Sequence, residues 1–74
     1  MPRQHDIHVV PAGERWAVEA EGGTGRETFA TQEDAIAAGT RRAKAAQVEL
    51  LVHGRDGRIR ERNTFGHDPR NIPG

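Results

Sequence analysis

The spacing of apolar positions changes along the chain, and each change marks an element. In DIHVVPAGERWAVEAE, residues 6–21, Ile7 and Val9 alternate with His8, and Trp16, Val18 and Ala20 alternate with Ala17 and Glu19. A period of two puts each set on one face of a strand. A tight turn at Ala12-Gly13 predicts a hairpin with Val9 opposite Trp16 and Ile7 opposite Val18, all on one face. Pro11, with no N–H to donate, suits a strand end or an edge. Gly22, Gly23 and Gly25 then form a turn. Residues 26–30 predict a short third strand, with Phe29 and Glu27 on one face.

The period shifts to that of a helix in TQEDAIAAGTRRAKAAQ, residues 31–47. Thr31 is an N-cap residue and Asp34 stands at the capping-box position. Glu33 and Asp34 lie near the positive end of the dipole; Arg41, Arg42 and Lys44 lie toward the negative end. Ala35, Ile36, Gly39, Ala43 and Ala46 fall on one narrow arc. Gly39 in that stripe predicts close approach of another backbone or a large ring, with Trp16 as the candidate ring.

In VELLVHGRDGRIRER, residues 48–62, alternation returns. Leu50 and Val52 share one face, and Leu51 and His53 the other. Asp56-Gly57 is a turn signal. A two-residue turn sets Ile59 on the Leu50–Val52 face; a three-residue loop with a bulge sets it beside His53. The first gathers more apolar residues and is the expectation. Phe65 is expected to anchor the turn-rich end, NTFGHDPRNIPG. The whole reads as an α+β domain: a small antiparallel or mixed sheet in the order β-β-(β)-α-β-β, with one helix packed on one face. It spans residues 1–74 as a single domain, with flexible ends at 1–5 and 70–74.

One helix covers one face of such a sheet. Leu51, Val10 and Phe65 are then expected on the uncovered face, which predicts a homodimer. Composition agrees. Of the 74 residues 34% are hydrophobic and 4% aromatic, a thin core for a chain that buries only about 60% of its surface at this length. No Cys is present, so disulfides give no help, and neither a signal segment nor a membrane-length apolar run is seen. The expected compartment is the cytoplasm.

The net charge is zero, with eleven basic and eleven acidic residues. Residues 1–40 sum to −4 (three basic, seven acidic) and residues 41–74 to +4 (eight basic, four acidic). One reading is a basic face for an anionic partner; the other is helix-dipole matching together with an acidic half that neutralises a basic half. A nucleic-acid binder usually has a basic excess.

The chain also resembles a family. HVVPAGERWAVEAEG, then FATQEDAIAAGTRRAKAAQVELLVHGRDGRIRERNTFGHDP, is similar to the small bacterial proteins called domain of unknown function 2188. The family pattern runs H-V-x-P-x-x-x-x-W-x-V, then T-x-x-E-A-I-x-x-A-x-x-x-A, then V-H-x-x-D-G-x-I-x-x-x-x-[TS]-[YF]-G-x-D-P. It is met by His8, Val9, Pro11, Trp16 and Val18, by Thr31, Ala35, Ile36 and Ala43, and by Val52, His53, Asp56, Gly57, Ile59, Thr64, Phe65, Gly66, Asp68 and Pro69. Gly39 and Phe65 depart from the commoner Ala and Tyr. The resemblance implies a compact α+β domain and no activity. By analogy with small strand-rich units that share a sheet, it strengthens the expectation of a dimer.

The chemistry-bearing residues are few. There is no Cys, Ser or Tyr, and the only hydroxyls are those of Thr24, Thr28, Thr31, Thr40 and Thr64, so nucleophilic catalysis lacks a nucleophile with an adjacent base. No phosphate-loop spacing accompanies the glycines. His53, Asp56 and Asp68 form a candidate polar cluster, in which the bland reading has His53 pinning the 63–69 segment through a backbone carbonyl. Metal ligation by His5 and His8, or by His53, His67 and Asp68, lacks the usual ligand pairs. Arg58, Arg60 and Arg62 alternate, with Arg55 at the turn, and are the candidate nucleic-acid contacts. The expectation is a non-enzymatic accessory protein acting through protein interaction or homodimerisation. It has no cofactor, no metal, no small-molecule substrate and no membrane association. The alternative is nucleic-acid binding through the arginine hairpin.

Overall fold

A computed structural model describes residues 5–65. Its elements are β1 (Ile7–Ala12), β2 (Arg15–Ala20), β3 (Glu27–Phe29), α1 (Gln32–Ala46), β4 (Glu49–His53) and β5 (Ile59–Thr64). The five strands form one mixed sheet in the order β3-β2-β1-β4-β5. All neighbours are antiparallel except β1 and β4, which run parallel. The reason is the helix. It carries the chain from the β3 edge back across the sheet, so that β4 enters beside β1 in the same direction. Residues 1–4 and 66–74, which take in His67, Asp68 and all of the expected flexible ends but His5, lie outside the described residues.

The first hairpin turns at Gly13-Glu14, with Ala12 opposite Arg15. That is one residue later than expected, so the register moves by two: Val9 meets Val18, Ile7 meets Ala20, and Pro11 meets Trp16. An even shift leaves the faces unchanged, and the period-two reading of the face survives. β3 pairs Phe29 with Trp16 and Glu27 with Val18, which places both side chains on the helix-covered face.

Thr31 caps the helix, its hydroxyl accepting the Asp34 N–H at 3.1 Å. The other end closes in a Schellman arrangement. Gln47 adopts φ 60°, ψ 48°, its N–H reaches Lys44 O at 3.3 Å, and the Val48 N–H donates to Ala43 O at 3.0 Å. Val48 and Ala43 are both in the core, which supplies the hydrophobic contact that accompanies this cap. Ala35, Ala38, Gly39 and Ala43 are buried, while Ile36 and Ala46 are half-buried. The buried arc is thus rotated slightly toward Ala38 from the one expected.

Gly39 sits at the centre of the helix–sheet contact. A Cβ there would stand 2.9 Å from Leu50 Cδ1 and 3.2 Å from Val9 Cγ2. The group that approaches is therefore the fully buried aliphatic trio Leu50, Val9 and Val18, not the Trp16 ring. With no Cβ at 39, these three reach up to the helix backbone, and close packing there compensates for few large apolar residues.

The second hairpin differs from expectation. Gly57 N–H bonds Gly54 O and Gly54 N–H bonds Arg58 O at 2.7 Å, while Gly57 takes φ 85°. This is a three-residue loop: a type I turn followed by a left-handed glycine. A bulge follows, so Val52 pairs with Glu61 but His53 pairs with Ile59. Ile59 therefore lies beside His53 and not on the Leu50–Val52 face. The left-handed position favours Gly57, which a two-residue turn at Asp56-Gly57 would have used differently. Phe65 anchors to the core as expected, but on the helix-covered side and not on the open face. Its N–H donates to Val48 O at 3.2 Å, it packs against the helix-side core, and Lys44 Nζ lies 5.7 Å from its ring centre.

Candidate functional site

The face of the sheet away from the helix carries His8 and Val10 from β1, Ala17 and Glu19 from β2, Leu51 and His53 from β4, and Ile59 and Arg62 from β5. No helix covers it, yet Ala17 and Leu51 are buried. Leu51 is flanked in register by His8 on one side and Arg62 on the other. Two side chains with apolar bodies and polar tips shelter it. Among the described residues Ile59 is the large hydrophobic residue left open, 48% exposed.

At the centre, His8 and His53 bond each other across the parallel seam. His8 Nδ1 lies 3.0 Å from His53 Nε2, with ring centres 5.3 Å apart and planes tilted by 35°. His53 Nδ1 is 3.0 Å from the Gly57 carbonyl, so the ring ties β4 to its own loop. The carbonyl it meets belongs to the hairpin loop, not to the 63–69 segment. His8 Nε2 is buried and lacks a hydrogen-bond partner among the described residues; Glu21 Oε2 stands 3.8 Å away. The sequence placed His8 only in a histidine pair with His5. His5 Nδ1 instead faces the other Glu21 oxygen, at 3.8 Å. Nothing local signals the His8–His53 contact, because it depends on β1 and β4 being parallel neighbours.

Asp56 works within the loop. Its Oδ1 accepts the Arg58 N–H at 3.0 Å, and its carboxylate pairs with Arg60 at 3.5 Å and Arg58 at 3.9 Å. Among the described residues His53 and Asp56 share the hairpin but not a bond, and Asp68 lies outside them. No three His, Cys, Asp or Glu side chains among the described residues are gathered so as to hold a metal ion.

The four arginines do not form one row. The bulge at Arg60 interrupts the alternation. Arg60 lies over Gly54, whereas Arg62 stands on the open face, 3.8 Å from Glu49. Arg55 turns away altogether. It stacks over Trp16 at 4.5 Å and donates to the Gly13 and Glu14 carbonyls. The side chains of Arg58, Arg60 and Arg62 remain 85%, 65% and 60% exposed, so their pairings are solvent-screened and weak.

A groove of about 540 Å³ runs between the end of the helix and the start of β1, lined by Ile7, Ala20, Ala45, Ala46, His5, Thr24 and Arg42. The Arg42 guanidinium there is engaged by the Gly25, Val18 and Thr24 carbonyls. Its polar wall is therefore structural. Among the described residues no helix is long and apolar enough to cross a membrane.

No curated protein and no solved structure matches the chain. A family profile does match, over residues 7–65, which takes in every element from β1 to β5 and both members of the histidine pair. The chain belongs to the family described as "Uncharacterized protein conserved in bacteria (DUF2188)".

Proposed function

We propose that this chain is a non-enzymatic binding module that pairs with a second copy of itself through the open face of its sheet. The observation that carries this reading is Ile59, 48% exposed in the same row as His53 on a face that no helix covers. Charge is consistent with a second copy as the occupant. The β2 side of the face bears Glu19 and the β5 side bears Arg62, so a two-fold axis along the strands lays unlike charges over each other. The zero net charge gives no repulsion between copies. Pairing along the β5 edge is less suited, since a bulge and three arginines blunt it. The scarcity of hydroxyls and the absence of Cys, Ser and Tyr support a role without covalent chemistry.

A second reading, nucleic-acid binding, is favoured by the exposure of Arg58, Arg60 and Arg62. It has to overcome their acidic neighbours and the loss of Arg55 to Trp16. Size exclusion with light scattering, at low and high salt and with and without duplex DNA, separates the two. Self-pairing predicts a dimer that persists in high salt and no DNA shift. A monomer at all protein concentrations overturns it, and DNA retention that falls steeply with salt establishes the second reading.

A further inference from the structure

The acceptors around the two open-face histidines fix where their hydrogens go. A carbonyl can only accept, so His53 Nδ1, 3.0 Å from Gly57 O, carries a hydrogen. A neutral His53 then presents a lone pair at Nε2, and His8 Nδ1 must donate to it across 3.0 Å. That assignment leaves a neutral His8 with its own lone pair on Nε2. The atom is buried, has no hydrogen-bond partner among the described residues, and stands 3.8 Å from a Glu21 oxygen. A buried lone pair beside a carboxylate is unfavourable on both counts, unpaired and repelled. A hydrogen on Nε2 converts the same contact into an ion pair.

A second added proton has no place. It would set an N–H on His53 Nε2 against the N–H on His8 Nδ1 at 3.0 Å. The pair therefore takes one proton and resists another. The gap also discriminates against a metal. The 5.3 Å between ring centres is what two imidazoles give when their nitrogens face each other head-on at 3.0 Å. An ion in line between them, with bonds of about 2.0–2.1 Å, would need the nitrogens about 4 Å apart.

Other charges border the pair. From β2 come Glu19, opposite His8 and bonded to Arg26, and beyond the strand end Glu21. Ahead of β1 come His5, on the far Glu21 oxygen, and Asp6, which accepts the Glu49 N–H. β4 and β5 contribute Glu49 and Arg62, which face each other. Among the described residues only Glu21 is ion-paired with His8.

We propose that His8 and His53 are a one-proton switch on the open face. A single proton, held on His8 between His53 and Glu21, ties β1 to the β4–β5 loop and to the end of β2. The switch operates within one chain and does not depend on self-association.

Long-range proton–nitrogen correlation spectra of the imidazoles, recorded across a pH series on the wild-type chain, test this directly. The expected result is hydrogen on His53 Nδ1 throughout, with a state in which His8 bears hydrogen on both nitrogens while His53 Nε2 bears none. Glu21→Gln is expected to deplete that state while the amide spectrum keeps its dispersion. Hydrogen gained by both rings together, hydrogen on His53 Nε2 while His8 Nδ1 lacks it, or a state left unchanged by Glu21→Gln overturns the proposal.

Discussion

Arg55 holds its guanidinium carbon 4.5 Å from the centre of the Trp16 ring, joining the loop of the second hairpin to the turn of the first. The same side chain donates to the Gly13 and Glu14 carbonyls, positions 42 and 41 residues away. Arg55→Ala is expected to destabilise the chain by about 1–2 kcal/mol, from a lost cation–π contact and carbonyl groups left to water. Arg55→Lys recovers only part, because an ammonium cannot stack and bridge two carbonyls at once. Urea denaturation of the three proteins, with unchanged m-values, checks the order.

Gly39→Ala is a helix-favouring change that should nevertheless destabilise. Its methyl would stand 2.9 Å from Leu50 Cδ1 and 3.2 Å from Val9 Cγ2, both on fully buried residues. Helix propensity contributes up to about 1 kcal/mol in its favour, whereas overpacking costs about 1–3 kcal/mol. A net loss of about 1 kcal/mol is expected. Combining it with Leu50→Val should give less than the sum of the two losses, and a double-mutant cycle measures that difference.

Gln47→Gly should raise stability. Gln47 is the sole non-glycine residue with positive φ among the described residues, and it occupies the left-handed position that glycine fills without strain. Relief of that strain, less the added freedom of the unfolded chain, predicts a gain of about 0.5–1 kcal/mol. A higher thermal midpoint is the readout.

Replacing Arg58 and Arg60 together by Ala should leave folding and oligomeric state unchanged, since both side chains are largely exposed and loosely paired. Ile59→Asp should instead abolish the dimer while keeping the monomer folded, because Ile59 lies outside the core. Light scattering on both variants, beside circular dichroism, tests the pair of outcomes. Loss of the dimer in the arginine variant alone would point away from the open face.

The helix was legible because its information is local. Thr31, the acids of the first turn and the small-residue stripe all lie within one run of chain, and the cap forms as read. Both hairpins were legible for the same reason, the first down to its faces, whereas in the second the bulge turns Ile59 to the face opposite the one expected. Their registers were not, since a turn one residue later at Gly13-Glu14, or one residue longer at Gly54–Arg58, leaves the alternation in the sequence untouched. The candidate site was least legible. His8 meets His53 only because β1 and β4 adjoin in parallel, and Arg55 meets Trp16 only because two loops converge. Neither relationship leaves a periodic trace, and each joins residues about 40 positions apart.

The seam between β1 and β4 carries a kinetic consequence. Ile7 to Val9 can find Leu50 to Val52 only after some 43 intervening positions have been drawn in, whereas each hairpin closes over a handful. Contact order therefore predicts that this parallel pairing, beneath the helix, closes later than either hairpin.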